Sequence, residues 1–332
     1  MNTKRIFAFL ALNTLLTGPS MPALGASSER VLVVVSGHGR AGGKTQPGYD
    51  FEEFAKAYAI FRSSKMAIDV ASPLGGAVDA DEYNPNDPVQ RSVIDDPIVS
   101  AKLARTLSVG EVDPKRYAAV FVVGGKGAMF DLPQATALHA VIADVYEAGG
   151  VVAAVCHGPA ALVDVRLSDG EYLVAGKAVN GFTNVEESLF GKKWASKFPF
   201  KLEDALKARG GRFESGPLML AHVTVHDRLI TGQNPTSAAG VADAVLRRLG
   251  KTPAPRPLDP KEATLKLIAR ILQDDPGAVD QYQKDPAAFQ GPLIAAYGYY
   301  YSQVVTDHRS LRHSLSLMEM VPGMMNKKQL RL

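Results

Sequence analysis

Three short apolar runs, each ending in small residues, constrain this chain more than any other feature. Val31 to Val35 leads into Ser36-Gly37, Ala118 to Val123 into Gly124-Gly125, and Val151 to Val155 into Cys156-His157-Gly158. A continuous run of this kind reads as a strand buried on both faces. Met66 to Ala71, closed by Ser72-Pro73-Leu74-Gly75-Gly76, reads the same way. Between the runs lie segments with apolar residues at helical spacing: Phe51 to Phe61 (Phe51, Phe54, Ala55, Tyr58), Ile98 to Leu107 and Thr136 to Tyr146. The alternation predicts an α/β fold, a flavodoxin-like, doubly wound, mostly parallel sheet with helices on both faces. Sites in such sheets lie beyond the carboxyl ends of the strands. The loops at Ser36-Gly37-His38, Gly124-Gly125 and Cys156-His157 are therefore expected to converge.

The rest of the chain is ordered around that sheet. Asp79 to Asp96, rich in Asp, Asn and Pro, is expected to be a surface loop. Tyr172 to Val174 and Lys177 to Val179 suggest a hairpin about Ala175-Gly176. A helix near Leu202 to Arg209, short strands at Ala221 to Val225 and Leu229 to Thr231, and a helix from Pro235 to Leu249 close the domain, which spans residues 29–250. Residues 251–260, KTPAPRPLDP, read as a proline-rich linker. Residues 261–332 read as a helical C-terminal extension in two or three pieces, with Leu265, Leu267, Ile268, Ile271 and Leu272 on one apolar face. Its aromatic run, Tyr297 to Val305, is expected to pack against the main domain, with a dimer or partner surface as the alternative.

Residues 1–25 have the pattern of a secretory signal peptide: Lys4 and Arg5, an apolar core from Ile6 to Leu16, the breaker Gly18-Pro19, then Ala23-Leu24-Gly25. The expected location is periplasmic or secreted. No later segment is long enough for a transmembrane helix, so no membrane association is expected of the mature form. Lys4 and Arg5 supply most of the formal net charge of +3, and no basic stripe points to nucleic acid. A single cysteine excludes an internal disulfide.

That cysteine, Cys156, stands where an apolar strand breaks at once into Gly158-Pro159. This is the mechanics of a nucleophile elbow, which holds the residue at the break in a strained turn. A helix N-terminus there would lower the thiol pKa. A small buried hydrophobe is the plainer reading of a free cysteine.

Four motifs in order, GGKGAMFDLP, VVAAVCHGPAAL, GFTNVEE and RLITGQNPTSA, resemble the PfpI-like superfamily, which has a class I glutamine amidotransferase-like fold. The resemblance covers about Arg30 to Gly250 and is closest to the branch of heat-shock chaperones and glutathione-independent glyoxalase III enzymes. It implies Cys156 as nucleophile, His157 as catalytic histidine and Glu187 as the acid orienting it, with Glu186 as the alternative. It also implies Glu53 as a carboxyl touching the sulfur and moving protons, with Glu52 as the alternative. The backbone amides of Gly124, Gly125 and Gly127 could hold an oxyanion together with that of His157. Lys126 replaces the histidine of the branch's commoner GHG pattern, and could draw a carboxylate substrate or depress the thiol pKa.

The implied function is a cysteine-dependent enzyme converting a small reactive carbonyl, methylglyoxal, to lactate without glutathione, metal or other cofactor. The alternatives are an amidase- or peptidase-type hydrolase, and a holdase chaperone or oxidation sensor, the chaperone needing an exposed apolar patch around Tyr297 to Tyr301. His38, His139, His222 and His226 are too scattered in sequence for a metal set. Gly37 to Thr45 misses a phosphate-loop pattern by one residue, which argues against nucleotide binding.

Overall fold

The computed structural model describes residues 29–81, 83–304 and 307–321. The leader expected over residues 1–25 lies outside them, as do Val305 and the last eleven residues of the extension.

Seven strands form one sheet in the order β3-β2-β1-β4-β5-β9-β8. They are β1 (Arg30–Val34), β2 (Ala67–Ser72), β3 (Leu107–Ser108), β4 (Ala119–Val122), β5 (Val151–Val155), β8 (Val223–His226) and β9 (Leu229–Gly232). Only the β8–β9 pairing is antiparallel. A second, two-stranded sheet pairs β6 (Ala178–Val179) with β7 (Arg212–Phe213) in parallel.

Alternation of side chains along each central strand divides the core. Val31, Val33, Phe121, Ala153 and Val155 face one layer, packed against α1 (Phe51–Ser63) and α9 (Ala238–Arg248) through Phe54, Phe61, Val241 and Val245. Leu32, Val34, Val120, Val122, Val152 and Ala154 face the other, with Leu138 and Ile142 of α5 (Thr136–Glu147). Every residue of β4 and β5 is buried, which is why these strands read as unbroken apolar runs and not as alternating ones. Burial of each such large side chain contributes about 1.5–3 kcal/mol.

Among the described residues six shorter helices complete the main domain: α2 (Pro88–Ile94), α3 (Pro97–Ala104), α4 (Ala128–Asp131), α6 (Asn184–Phe190), α7 (Lys192–Ala195) and α8 (Leu202–Ala208), the last beside β7. Several expectations change in detail. The loop expected at Asp79 to Asp96 contains α2, because Asp87 accepts from Val89 N and Gln90 N as an N-cap ahead of Pro88. The helix expected to reach Leu107 stops at Ala104, and Leu107 belongs to β3. The hairpin about Ala175-Gly176 does not form: β6 pairs with the distant β7, and Tyr172 bridges back to Arg166.

The segment from Lys251 to Asp259 has neither helix nor strand, and Pro260 already opens α10 (Pro260–Ile271). Three more helices follow, α11 (Pro276–Lys284), α12 (Gly291–Gln303) and α13 (His308–Glu319). Their core, including Leu267, Ile268, Ile294 and Leu317, is shared with Leu218 and Leu220 of the main domain. Tyr297 and Tyr301 are buried in it. The exposed patch that a chaperone reading placed there is therefore absent, since both rings are used in packing. No helix among the described residues is long and apolar enough to cross a membrane.

Candidate active site

Strands β1, β4 and β5 are neighbours, so the loops after them lie side by side. Cys156 follows β5 directly, with φ of 59°, in the left-handed region that a residue with a Cβ rarely adopts. The strained backbone is held from both sides: its N–H donates to Gly232 O at 2.8 Å, and its carbonyl accepts from Phe182 N at 2.8 Å. Only a five-residue 3-10 turn, Gly158–Leu162, follows.

The thiol sits between a base and an acid. His157 Nδ1 is 3.3 Å from Cys156 Sγ, and His157 Nε2 is 2.8 Å from Glu187 Oε2. The imidazole is packed between the rings of Phe182 and Phe198, with centroids 4.5 and 5.6 Å away. A carboxylate on the outer nitrogen fixes which nitrogen faces the sulfur and stabilises the imidazolium that forms when it takes the thiol proton.

Glu186 and Glu187 are separated by helix capping. Thr183 and Glu186 form a reciprocal capping box at the start of α6. Glu186 Oε2 accepts from Thr183 N, while Oε1 accepts from Met219 N, Gln233 Nε2 and Asn234 Nδ2 at 2.8 to 2.9 Å. Glu186 is fully buried in that network, and the next residue, one helical step round, reaches His157.

Glu52 and Glu53 divide in the same way. Glu52 pairs with Lys56 and Lys261. Glu53, fully buried, accepts the Gly124 N–H on Oε2 at 2.7 Å and interacts with the Cys156 thiol. Burial first, and the neighbouring Asp50 carboxylate second, push Glu53 well above the usual carboxylate range. Burial and the Glu53 and Asp50 charges likewise push the Cys156 thiol up, while the Gly125 N–H beside the sulfur works the other way. The expectation of a thiol lowered by a helix N-terminus therefore fails, because burial first, and the acids beside the sulfur second, outweigh a short 3-10 turn. Two acids this close titrate as a unit, and each holds its proton more tightly than it would alone.

Gly124 is required by this contact: a Cβ there would lie 2.5 Å from Val155 O, 2.7 Å from Cys156 Cβ and 2.8 Å from Glu53 Oε2. The amide of Gly124 is engaged by Glu53 and that of Gly127 donates to Gly48 O, so neither faces an oxyanion as expected. The Gly125 amide faces the thiol. Lys126 is half-buried in the same turn, and among the described residues its ammonium makes no hydrogen bond or ion pair.

Asp50 was not expected. It caps α1 by accepting Glu53 N at 3.0 Å, and burial together with the Glu52 charge pushes it up to about 6. The spacing Asp50 to Glu53, a capping residue followed three positions later by Glu, was the available signal. His38 stacks on Phe130, with centroids 4.6 Å apart, and burial lowers its pKa. Among the described residues no three His, Cys, Asp or Glu side chains gather as a metal-binding group.

Residues 45–248 match the DJ-1/PfpI family. The chain is 30% identical over 238 residues to the glutathione-independent glyoxalase hsp3101 of Schizosaccharomyces pombe, covering 67% of this chain and 96% of that one. It is 41% identical over 145 residues to the probable glutathione-independent glyoxalase hsp3103 of the same yeast, covering 42% of this chain and 56% of that relative. Among solved structures, glyoxalase III from Candida albicans superposes with a TM-score of 0.61 at 25% identity, covering 68% of this chain and 98% of that one. The Rapid Encystment Protein 24 kDa of Francisella tularensis gives 0.62 at 30% identity, covering 66% and 98%.

A raised Glu53 makes stability depend on pH with a definite sign. Above the ordinary carboxylate range the unfolded chain releases this proton while the folded chain keeps it, so stability falls as pH rises toward the folded value. Glu53→Gln carries no such proton and can still accept the Gly124 N–H. Its midpoint in urea unfolding, relative to the parent, should therefore rise as the pH is raised above the ordinary carboxylate range. A difference that stays constant or shrinks would mean that Glu53 is an ordinary carboxylate.

Proposed function

The chain belongs to the DJ-1/PfpI family, and from that premise we propose that it is a glutathione-independent glyoxalase converting a small 2-oxoaldehyde such as methylglyoxal to the 2-hydroxy acid. The observation that carries the reading is the chain Glu53, Cys156, His157, Glu187, in which a thiol has a base on one side and a buried acid of raised pKa on the other. The glyoxalase names of several relatives support it.

In this mechanism the Cys156 sulfur adds to the aldehyde carbon, its proton passes to His157 Nδ1, and the imidazolium delivers that proton to the aldehyde oxygen. Glu187 holds the imidazolium. The resulting hemithioacetal must move one hydrogen from its former aldehyde carbon to the neighbouring carbonyl carbon. A base takes the first proton, an enediol forms, and a proton returns to the second carbon, leaving a thioester on Cys156. Water then hydrolyses the thioester, releasing the hydroxy acid and the thiol, so the net change is addition of one water. Glu53 serves as proton carrier because burial raises its pKa, so that it can hold a proton where an ordinary carboxylate has released it. Lys126, beside Gly125, attracts the carboxylate that forms. No metal or glutathione is required by these steps.

Residues 1–25 support a second proposal, that the protein is exported. Recovery from the periplasm or medium of a chain beginning near residue 26 is expected, and a cell-retained chain still carrying residue 1 would refute it. For the reaction, the assay is lactate formation from methylglyoxal without glutathione. Cys156→Ser should abolish it, and Glu187→Gln should lower kcat by roughly 10- to 100-fold. A parent chain without activity, or a Cys156→Ser chain that retains it, would remove the reading.

A further inference from the structure

The helical extension packs on the element that carries Glu187. Leu189 and Phe190 of α6 and the neighbouring Met219 pack against the core of α10 to α13. The rings of Phe190 and Tyr300 meet edge to face with centroids 4.8 Å apart. The Tyr297 hydroxyl donates to Met219 O at 2.6 Å. Met219 N in turn donates to Glu186 Oε1 at 2.8 Å, and Met219 is held at φ of 54°. Glu186 is the partner of the N-cap Thr183 in the capping box of α6 and the immediate neighbour of Glu187.

A second contact reaches the other acid. Lys261 of α10 places its ammonium 2.8 and 2.7 Å from the two oxygens of Glu52, the residue before Glu53. The extension thus touches both helices that present carboxyls to Cys156 and His157.

We propose that Tyr297 is a positioning residue for the reaction: through Met219 and Glu186 it fixes the start of α6, and so holds Glu187 on His157. The statement of the reaction rests on the glyoxalase reading, but the positioning of Glu187 does not. Three features favour a specific relay over general packing. The hydroxyl meets a carbonyl and not another side chain, the carbonyl belongs to a residue in a strained conformation, and that residue's own N–H ends on the cap of the helix. A strained backbone persists only where its surroundings hold it.

The test is a double-mutant cycle on alkylation of Cys156 by iodoacetamide in the native full-length protein, read beside lactate formation from methylglyoxal. Cys156 is the chain's only cysteine, so alkylation reports on it alone. Tyr297→Phe should slow alkylation and lower kcat by about five- to tenfold with KM unchanged. Glu187→Gln should slow both further, and adding Tyr297→Phe to Glu187→Gln should change neither, since the two act through one carboxylate. Tyr301→Phe removes a hydroxyl from the same core, one bonded to Leu218 O at 3.3 Å, and should behave as the parent. Unchanged alkylation in Tyr297→Phe, equal slowing in both backgrounds, or equal slowing by Tyr301→Phe would overturn the proposal. A parent that makes no lactate but shows the alkylation cycle would count against the glyoxalase reading while supporting the role of Tyr297.

Discussion

A carboxyl group buried against a sulfur is the constraint on which the rest of this structure depends. Glu53 has no access to solvent, and one of its oxygens accepts a single backbone N–H. Placing an isolated charge there is costly, so burial favours the protonated form of the group. For that acid to meet Cys156, α1 must begin at a capped Asp50, Gly124 must lack a side chain, and Cys156 must take a left-handed turn at the end of β5. Each of these is unfavourable or restrictive alone. Together they are stabilised by a sheet whose central strands are buried along their whole length.

The second acid is arranged on the opposite principle. Glu187 works on His157 because its neighbour Glu186 is fully engaged elsewhere, in a capping box and three further hydrogen bonds. A short helix of seven residues has little stability of its own. Its position is therefore set by what packs on it, and here that includes the extension, through Tyr300 on Phe190 and Tyr297 on Met219. The same extension reaches Glu52, which keeps a charged residue beside Glu53 paired with lysines.

Much of the sheet was legible because its signals are local. Val31 to Val35, Ala118 to Val123 and Val151 to Val155 are apolar runs ended by small residues, and the strands lie within a residue of them. Cys156, His157 and Gly124 could be placed at strand ends for the same reason. The β6–β7 pairing was not legible: Lys177 to Val179 could be read as a strand, but its partner is a two-residue strand 34 residues on and not the adjacent segment. Lys261 on Glu52 spans 209 residues, and nothing local in KTPAPRPLDP foretells it. The assignment of Glu186 and Glu187 was readable after all: Thr183 followed three residues later by Glu186 is a capping box, which reserves that glutamate for the backbone. The ionisation of the thiol was misjudged because a helix N-terminus is a sequence signal, whereas a carboxyl arriving from α1 is a tertiary one.

The most direct test of this account is the protonation of Glu53 itself, read by infrared spectroscopy of protein labelled with carboxyl-13C glutamate at neutral pH. The parent should show the carbonyl stretch of a protonated, buried glutamate carboxyl, and Glu53→Gln should lack it. A spectrum in which that band is absent from the parent, or survives in Glu53→Gln, would show that the proton is held elsewhere and would contradict the account.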